Sequence, residues 1–142
     1  MRIVALLIAW LAWSGADAAT TWWVSQSGSG AANGTAQTAA WAGWTGIVQA
    51  SVVAGDTVCV DGPLTLSASA GWNKSASAGS AITIKGNCPG ATQGRIDANG
   101  ITCPAFQIGN SVSSSYIVVD HMEIENCAAS SGQGVVMLRS AG

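Results

Sequence analysis

Side chains suited to chemistry are densest in Asp120-His121-Met122-Glu123-Ile124-Glu125. With Met122 and Ile124 turned inward on a strand, Glu123 and Glu125 share the outer face and Asp120 lies at the adjoining corner. Three carboxylates so placed are hard oxygen donors suited to a cation such as Ca²⁺, although the same pattern also makes a solvated strand face. His121, the sole histidine, has the ring of a general base, but the sequence shows no partner for it and a corner residue is the plainer reading. Arg95 and Arg139 are cations that could neutralise a uronate carboxylate, or ordinary surface residues. Trp72, alone in the loop from Ser67 to Ser80, is the tryptophan expected to be exposed and to stack on a sugar. Asn87, Asn99, Asn110 and Asn126 read as turn residues that tolerate left-handed backbone, rather than as ligands. No catalytic motif is present, so the catalytic residues stay unassigned.

Those residues must be positioned by an exported chain. Arg2 followed by the uncharged apolar run Ile3 to Trp13 and the small-x-small triplet Ala16-Asp17-Ala18 reads as a signal peptide over 1–18, too short an apolar run for a membrane anchor. No membrane span is expected after cleavage, and the protein is expected to be secreted, periplasmic or on the cell surface. Charged residues make up only 8% of the chain, the net charge is -2, and no basic cluster occurs, which argues against a nucleic-acid partner. All four cysteines follow the leader, an even count that suggests disulfides in an oxidising compartment. Cys103 and Cys127 form one candidate pair because their spacing matches one repeat of the chain; Cys59 and Cys88 form a second, out of register with that repeat. Buried free thiols are the alternative for either pair.

The positioning elements themselves read as short strands at a recurring interval. Val58 and Val60 are an inward pair; Ile82 and Ile84 follow 24 residues on, Phe106 and Ile108 another 24, and Val136 and Leu138 after 30. Gly62, Gly86 and Gly109 close the first three pairs, and Ile96-Asp97 aligns with Val119-Asp120. Short strands separated by turns at such a period are the mark of a solenoid, here an all-β parallel β-helix of about four coils over 57–142. Before it, 19–56 holds the strand Trp22-Trp23-Val24-Ser25, in which Trp22 and Val24 share a face, then the loop around Asn33-Gly34. Trp41, Trp44, Ile47, Val48 and Val52 fall at helical spacing, so an amphipathic helix is expected over 40–53. Its expected task is to cap the open end of the stack; a sugar-stacking platform is the other use of its tryptophans.

On these residues the chain resembles a known family. Trp23-Val24-Ser25 with Gly28 and Gly34, Ala54-Gly55-Asp56-Thr57-Val58, and Tyr116-Ile117-Val118-Val119-Asp120 are similar to the N-terminal part of the right-handed parallel β-helix superfamily that includes pectate lyases. The resemblance implies Ca²⁺-assisted β-elimination on acidic polysaccharide, by carboxylates and a basic Arg or Lys on one outer sheet. These motifs are architectural, so no catalytic residue carries over. His121 departs from the pattern, standing at a corner where these proteins often have glycine.

The sequence stops just after the strand-like Val135-Val136-Met137-Leu138, and the expectation is a truncated stack, the front of a longer protein. Three functions follow: part of a secreted polysaccharide lyase, a non-enzymatic surface β-helix such as an adhesin, or a small stand-alone binding or structural protein. The first is preferred.

Overall fold

A computed structural model describes residues 18–29, 31–109 and 114–128, and the backbone of 136–138. Nearly all of the expected signal peptide, together with Asn110 and Arg139, lies outside the described residues.

Alternation of apolar and polar residues produces short strands throughout. They are β1 (Thr21–Ser25), β2 (Trp41–Ala42), β3 (Thr57–Asp61), β4 (Pro63–Thr65), β5 (Ala70–Trp72), β6 (Ile82–Lys85), β7 (Arg95–Asp97), β8 (Phe106–Ile108), β9 (Ile117–Asp120), β10 (Glu123–Glu125) and β11 (Val136–Leu138). The protein is all-β, and its strands form three parallel sheets with orders β2-β1-β3-β6-β9, β10-β7-β4 and β11-β8-β5. From β3 onward each strand pairs with the strand three places later in the chain, so the sheets are visited in rotation.

Register puts like with like in the interior. Val58 stands opposite Ile84, Leu64 opposite Ile96, Ala70 opposite Phe106 and Trp72 opposite Ile108. All eight are buried and belong to one apolar cluster. Fully burying such a side chain contributes about 1.5–3 kcal/mol, so these rungs hold the three sheets together.

The fixed interval expected from sequence does not survive. Val58 faces Ile84 rather than Ile82, and Phe106–Ile108 belongs to a different sheet from Ile82–Ile84. Ile96 and Val119 are likewise in different sheets; Ile96 lies between Leu64 and Ile124. The match of Phe106–Ile108 to Val136–Leu138 pairs residue for residue, whereas Val58–Val60 pairs with the Ile82–Ile84 strand two residues out of register. Strands of the first and third sheets, such as Val58–Val60, Ile82–Ile84 and Phe106–Ile108, carry the same apolar-x-apolar signature, so spacing alone cannot distinguish the next such strand from the same sheet's next strand.

The helix expected over 40–53 is also absent. Trp41 and Ala42 pair with Val24 and Ser25 as strand β2. Two single 3-10 turns follow, Trp44–Gly46 and Gln49–Ser51. Gly43 sits at φ 63 and ψ 177, an extended positive-φ conformation open to glycine that interrupts any helix there. Val48 is 50% exposed, breaking the apolar stripe that the helical reading required. The segment nevertheless covers an edge. The indole Nε1 of Trp44 and the Gln49 Nε2 donate to the Gly71 carbonyl at 3.2 and 3.0 Å, and the Asn73 N–H donates to Gln49 Oε1 at 3.0 Å. The Trp44 ring packs edge-on to Phe106 with centroids 4.9 Å apart. Side-chain amides and an indole thus satisfy the outer edge of β5, a task that demands donors at the right places but no helix.

Where the chain enters β3, Asp56 is fully buried. Its carboxylate accepts hydrogen bonds from the Thr20 N–H (2.8 Å), the Trp22 indole (2.7 Å) and the Val53 N–H (2.8 Å). The Trp22 ring in turn stacks on Trp41 with centroids 5.2 Å apart. A carboxylate satisfied by three donors is the physical reason for an aspartate in Ala54-Gly55-Asp56-Thr57-Val58.

Candidate functional site

Parity within β1 decides which of its two half-buried tryptophans faces outward. Because Trp22 and Val24 point toward the core, Trp23 points out, opposite Cys59 on β3. Cys59 stands opposite Lys85 on β6, and Lys85 opposite Asp120 on β9. One outer row therefore runs Trp23, Cys59, Lys85, Asp120 across four stacked strands.

The turn after β6 builds a wall beside this row. Gly86 begins it, and a Cβ there would collide with the His121 carbonyl oxygen, so only glycine fits. The chain then returns Cys88 over Cys59 to form a disulfide with a Cα separation of 5.9 Å. Asp61 fixes the far side of the same loop: its Oδ1 accepts from the Thr92 N–H at 2.8 Å and its Oδ2 from Gln37 Nε2 at 2.7 Å. The result is a groove of about 380 Å³ lined by Trp23, Thr57, Lys85, the Cys59–Cys88 disulfide and Pro89. A second groove, of about 350 Å³ and lined by Gln26, Trp44, Thr65 and Ser67 among others, contains no charged side chain.

Beyond the groove, Lys85 Nζ lies 3.7 Å from Asp120 Oδ2, and the other carboxylate oxygen of Asp120 contacts His121 Nδ1. His121 is held at φ 49, the left-handed region in which glycine is favoured, and its carbonyl accepts from Gln93 Nε2 at 2.7 Å. The partner that the sequence did not reveal for His121 is thus its own neighbour, Asp120. When Nδ1–H donates to that carboxylate, Nε2 bears the lone pair of a base on a ring that is 63% exposed.

The other residues singled out from sequence fare differently. Trp72 is fully buried in β5, its indole donating to the Lys74 carbonyl at 3.0 Å, so it is a core residue and not an exposed platform. Its inward place opposite Ile108 is the reason. Arg95 is outward on β7, with Nε 3.3 Å from Glu125 Oε1. Glu123 stands exposed opposite Arg95. Asp120 belongs to one sheet and the two glutamates to another, and among the described residues no three His, Cys, Asp or Glu side chains are placed to hold a metal ion. The expected Ca²⁺ donor set of Asp120, Glu123 and Glu125 is therefore not assembled. Asn99 and Asn126 do adopt left-handed backbone, at φ 50 and 55. Asn126 Nδ2 also donates to Asp97 Oδ1 at 3.0 Å, which, with the Asn99 N–H at 2.9 Å, holds the Asp97 carboxyl below its usual range.

Both disulfides anticipated from the cysteine count are formed, Cys59–Cys88 and Cys103–Cys127, the latter with Cα atoms 5.7 Å apart. Two disulfides, and no helix among the described residues long and apolar enough to cross a membrane, are compatible with an extracellular or periplasmic location. The groove tryptophan, Trp23, was missed as a candidate, yet the signal was present: assigning Trp22 and Val24 to one face leaves Trp23 on the other. The sequence matches no protein-family model, and neither a curated protein nor a solved structure matches the chain.

Proposed function

We propose that this chain is a right-handed parallel β-helix from an exported protein that acts on acidic polysaccharide, in the class of the polysaccharide lyases. The observation that carries the reading is the rotation of β3 to β11 through three parallel sheets, each strand pairing with the one three places on. A chain wound as a β-helix produces that order, and right-handed crossovers are the rule between parallel strands. The resemblance of Ala54-Gly55-Asp56-Thr57-Val58 and Tyr116 to Asp120 to the pectate lyase-like superfamily supports the class. On one outer face, Lys85 supplies a cation for a uronate carboxylate, and His121, oriented by Asp120, supplies a base.

Elimination at a uronate leaves an unsaturated sugar that absorbs in the ultraviolet. The protein should raise the absorbance of pectate, alginate or chondroitin, and a chelator run in parallel reports whether metal takes part. Absence of any rise across the panel refutes the lyase reading. Retention of one polysaccharide without a rise assigns the chain to binding alone, the non-enzymatic β-helix.

A further inference from the structure

We propose that the groove beside Trp23 is a subsite for a single acidic sugar residue, with Asp120 as a built-in competitor for its carboxylate; this rests on the polysaccharide reading above. Trp23 and Lys85 flank Cys59 in register, so their backbones are two strand spacings apart, about 10 Å. That separation lets one pyranose lie across the Cys59–Cys88 disulfide, which lines the groove between them, and reach the indole at one side and the ammonium at the other. The apolar C–H face of a pyranose stacks on an indole, and a ring carboxylate would meet Lys85. Thr57 adds a hydroxyl that both donates and accepts, suited to sugar hydroxyls. The lining between them is rigid, because Cys88 is covalently tied to Cys59 and the loop beyond it is pinned by Asp61.

Charge favours an acid over a neutral sugar. Lys74 Nζ donates to the carbonyls of Gln49 and Ala50 at 3.0 and 2.9 Å, and Arg95 is paired with Glu125. Lys85 lines this groove. Its contact with Asp120, at 3.7 Å, is longer than the roughly 2.7–2.9 Å of a charge-assisted hydrogen bond, leaving its donors available. An incoming carboxylate would therefore displace or share a loosely held partner, and neutralising that partner should tighten binding.

The test is calorimetric titration of the protein with a galacturonate trimer and, separately, with an uncharged galactose trimer. The galacturonate trimer should bind more tightly than the galactose trimer. Lys85→Gln should weaken galacturonate binding about tenfold and erase the preference for the acid. Asp120→Asn should strengthen galacturonate binding severalfold and leave galactose unchanged. Trp23→Ala should weaken both trimers, and Trp23→Phe, which keeps an aromatic face, should restore most of the loss; near-ultraviolet dichroism confirms the fold of each variant. Equal affinity for the two trimers overturns the proposal. If galacturonate binds but neither Lys85→Gln nor Trp23→Ala changes its affinity, this subsite is refuted while the polysaccharide reading stands. If neither trimer binds and no polysaccharide is retained, both fall.

Discussion

Replacing Asp56 with alanine probes the corner on which the first rungs of the largest sheet are built. The carboxylate accepts from two backbone N–H groups, of Thr20 and Val53, and from the Trp22 indole, and it is fully buried. Hydrogen bonds to a charged acceptor contribute about 1.5–3 kcal/mol each, so the gross loss is several kcal/mol. Two effects offset part of it. The carboxylate no longer has to be desolvated, and water reaches Thr20 and Trp22, which are only part-buried. A net loss of about 3–4 kcal/mol is expected, part of the gross hydrogen-bond loss. For a domain of this size that corresponds to a Tm about 10–15 °C lower. Urea denaturation with the disulfides intact would measure it. Asp56→Asn retains one carbonyl acceptor and should lose about half as much. Trp22→Phe removes one donor, and its cost should largely vanish in the Asp56→Ala background, giving a coupling of about 1 kcal/mol or more. A loss under 1 kcal/mol for Asp56→Ala, or strictly additive effects with Trp22→Phe, would refute the assignment of this carboxylate as the organising acceptor.

The two tryptophans should respond in opposite ways: Trp72→Ala empties a fully buried site and should cost about 3–5 kcal/mol, whereas Trp23→Ala should stay within about 1 kcal/mol of the parent in the same denaturation assay. Replacing Cys103 and Cys127 together by alanine opens a loop of 24 residues, and should lower stability by about 3–4 kcal/mol on the chain-entropy account, read from the denaturation midpoint of the oxidised protein. Asn126→Ala should move the Asp97 titration, followed by NMR, upward toward the ordinary carboxylate value of 3.8. The sign for stability follows: a carboxyl held low in the folded state stabilises above its unfolded pKa and loses that contribution as pH falls through the folded value, so the variant should lose its share at a higher pH.

What the sequence determined by itself was local. Alternation in Thr57–Asp61, Ile82–Lys85 and Phe106–Ile108 marks strands and their inward residues, because side-chain direction in a strand depends only on parity. The cysteine pairing was also within reach, since export, an even count and one repeat-like spacing left few choices. Other features waited on tertiary structure. Which sheet receives a strand is set by the length and path of the preceding turn, and the turns here differ enough that Thr83 pairs with Val118 but Arg95 with Glu123. That choice placed Trp72 opposite Ile108 in the core. The tryptophan stripe of 40–53 suggested a helix because its spacing matches a helical period; strand pairing by Trp41 and the positive φ of Gly43 overrode it. Asp120 and His121 are adjacent in sequence, but adjacency on a regular strand sends side chains to opposite faces. The left-handed turn at His121 is what brings its ring to the carboxylate, and parallel pairing from β6 is what delivers Lys85 to the same carboxylate. Both depend on backbone contacts between residues far apart in the chain, and no local pattern in the sequence encodes them.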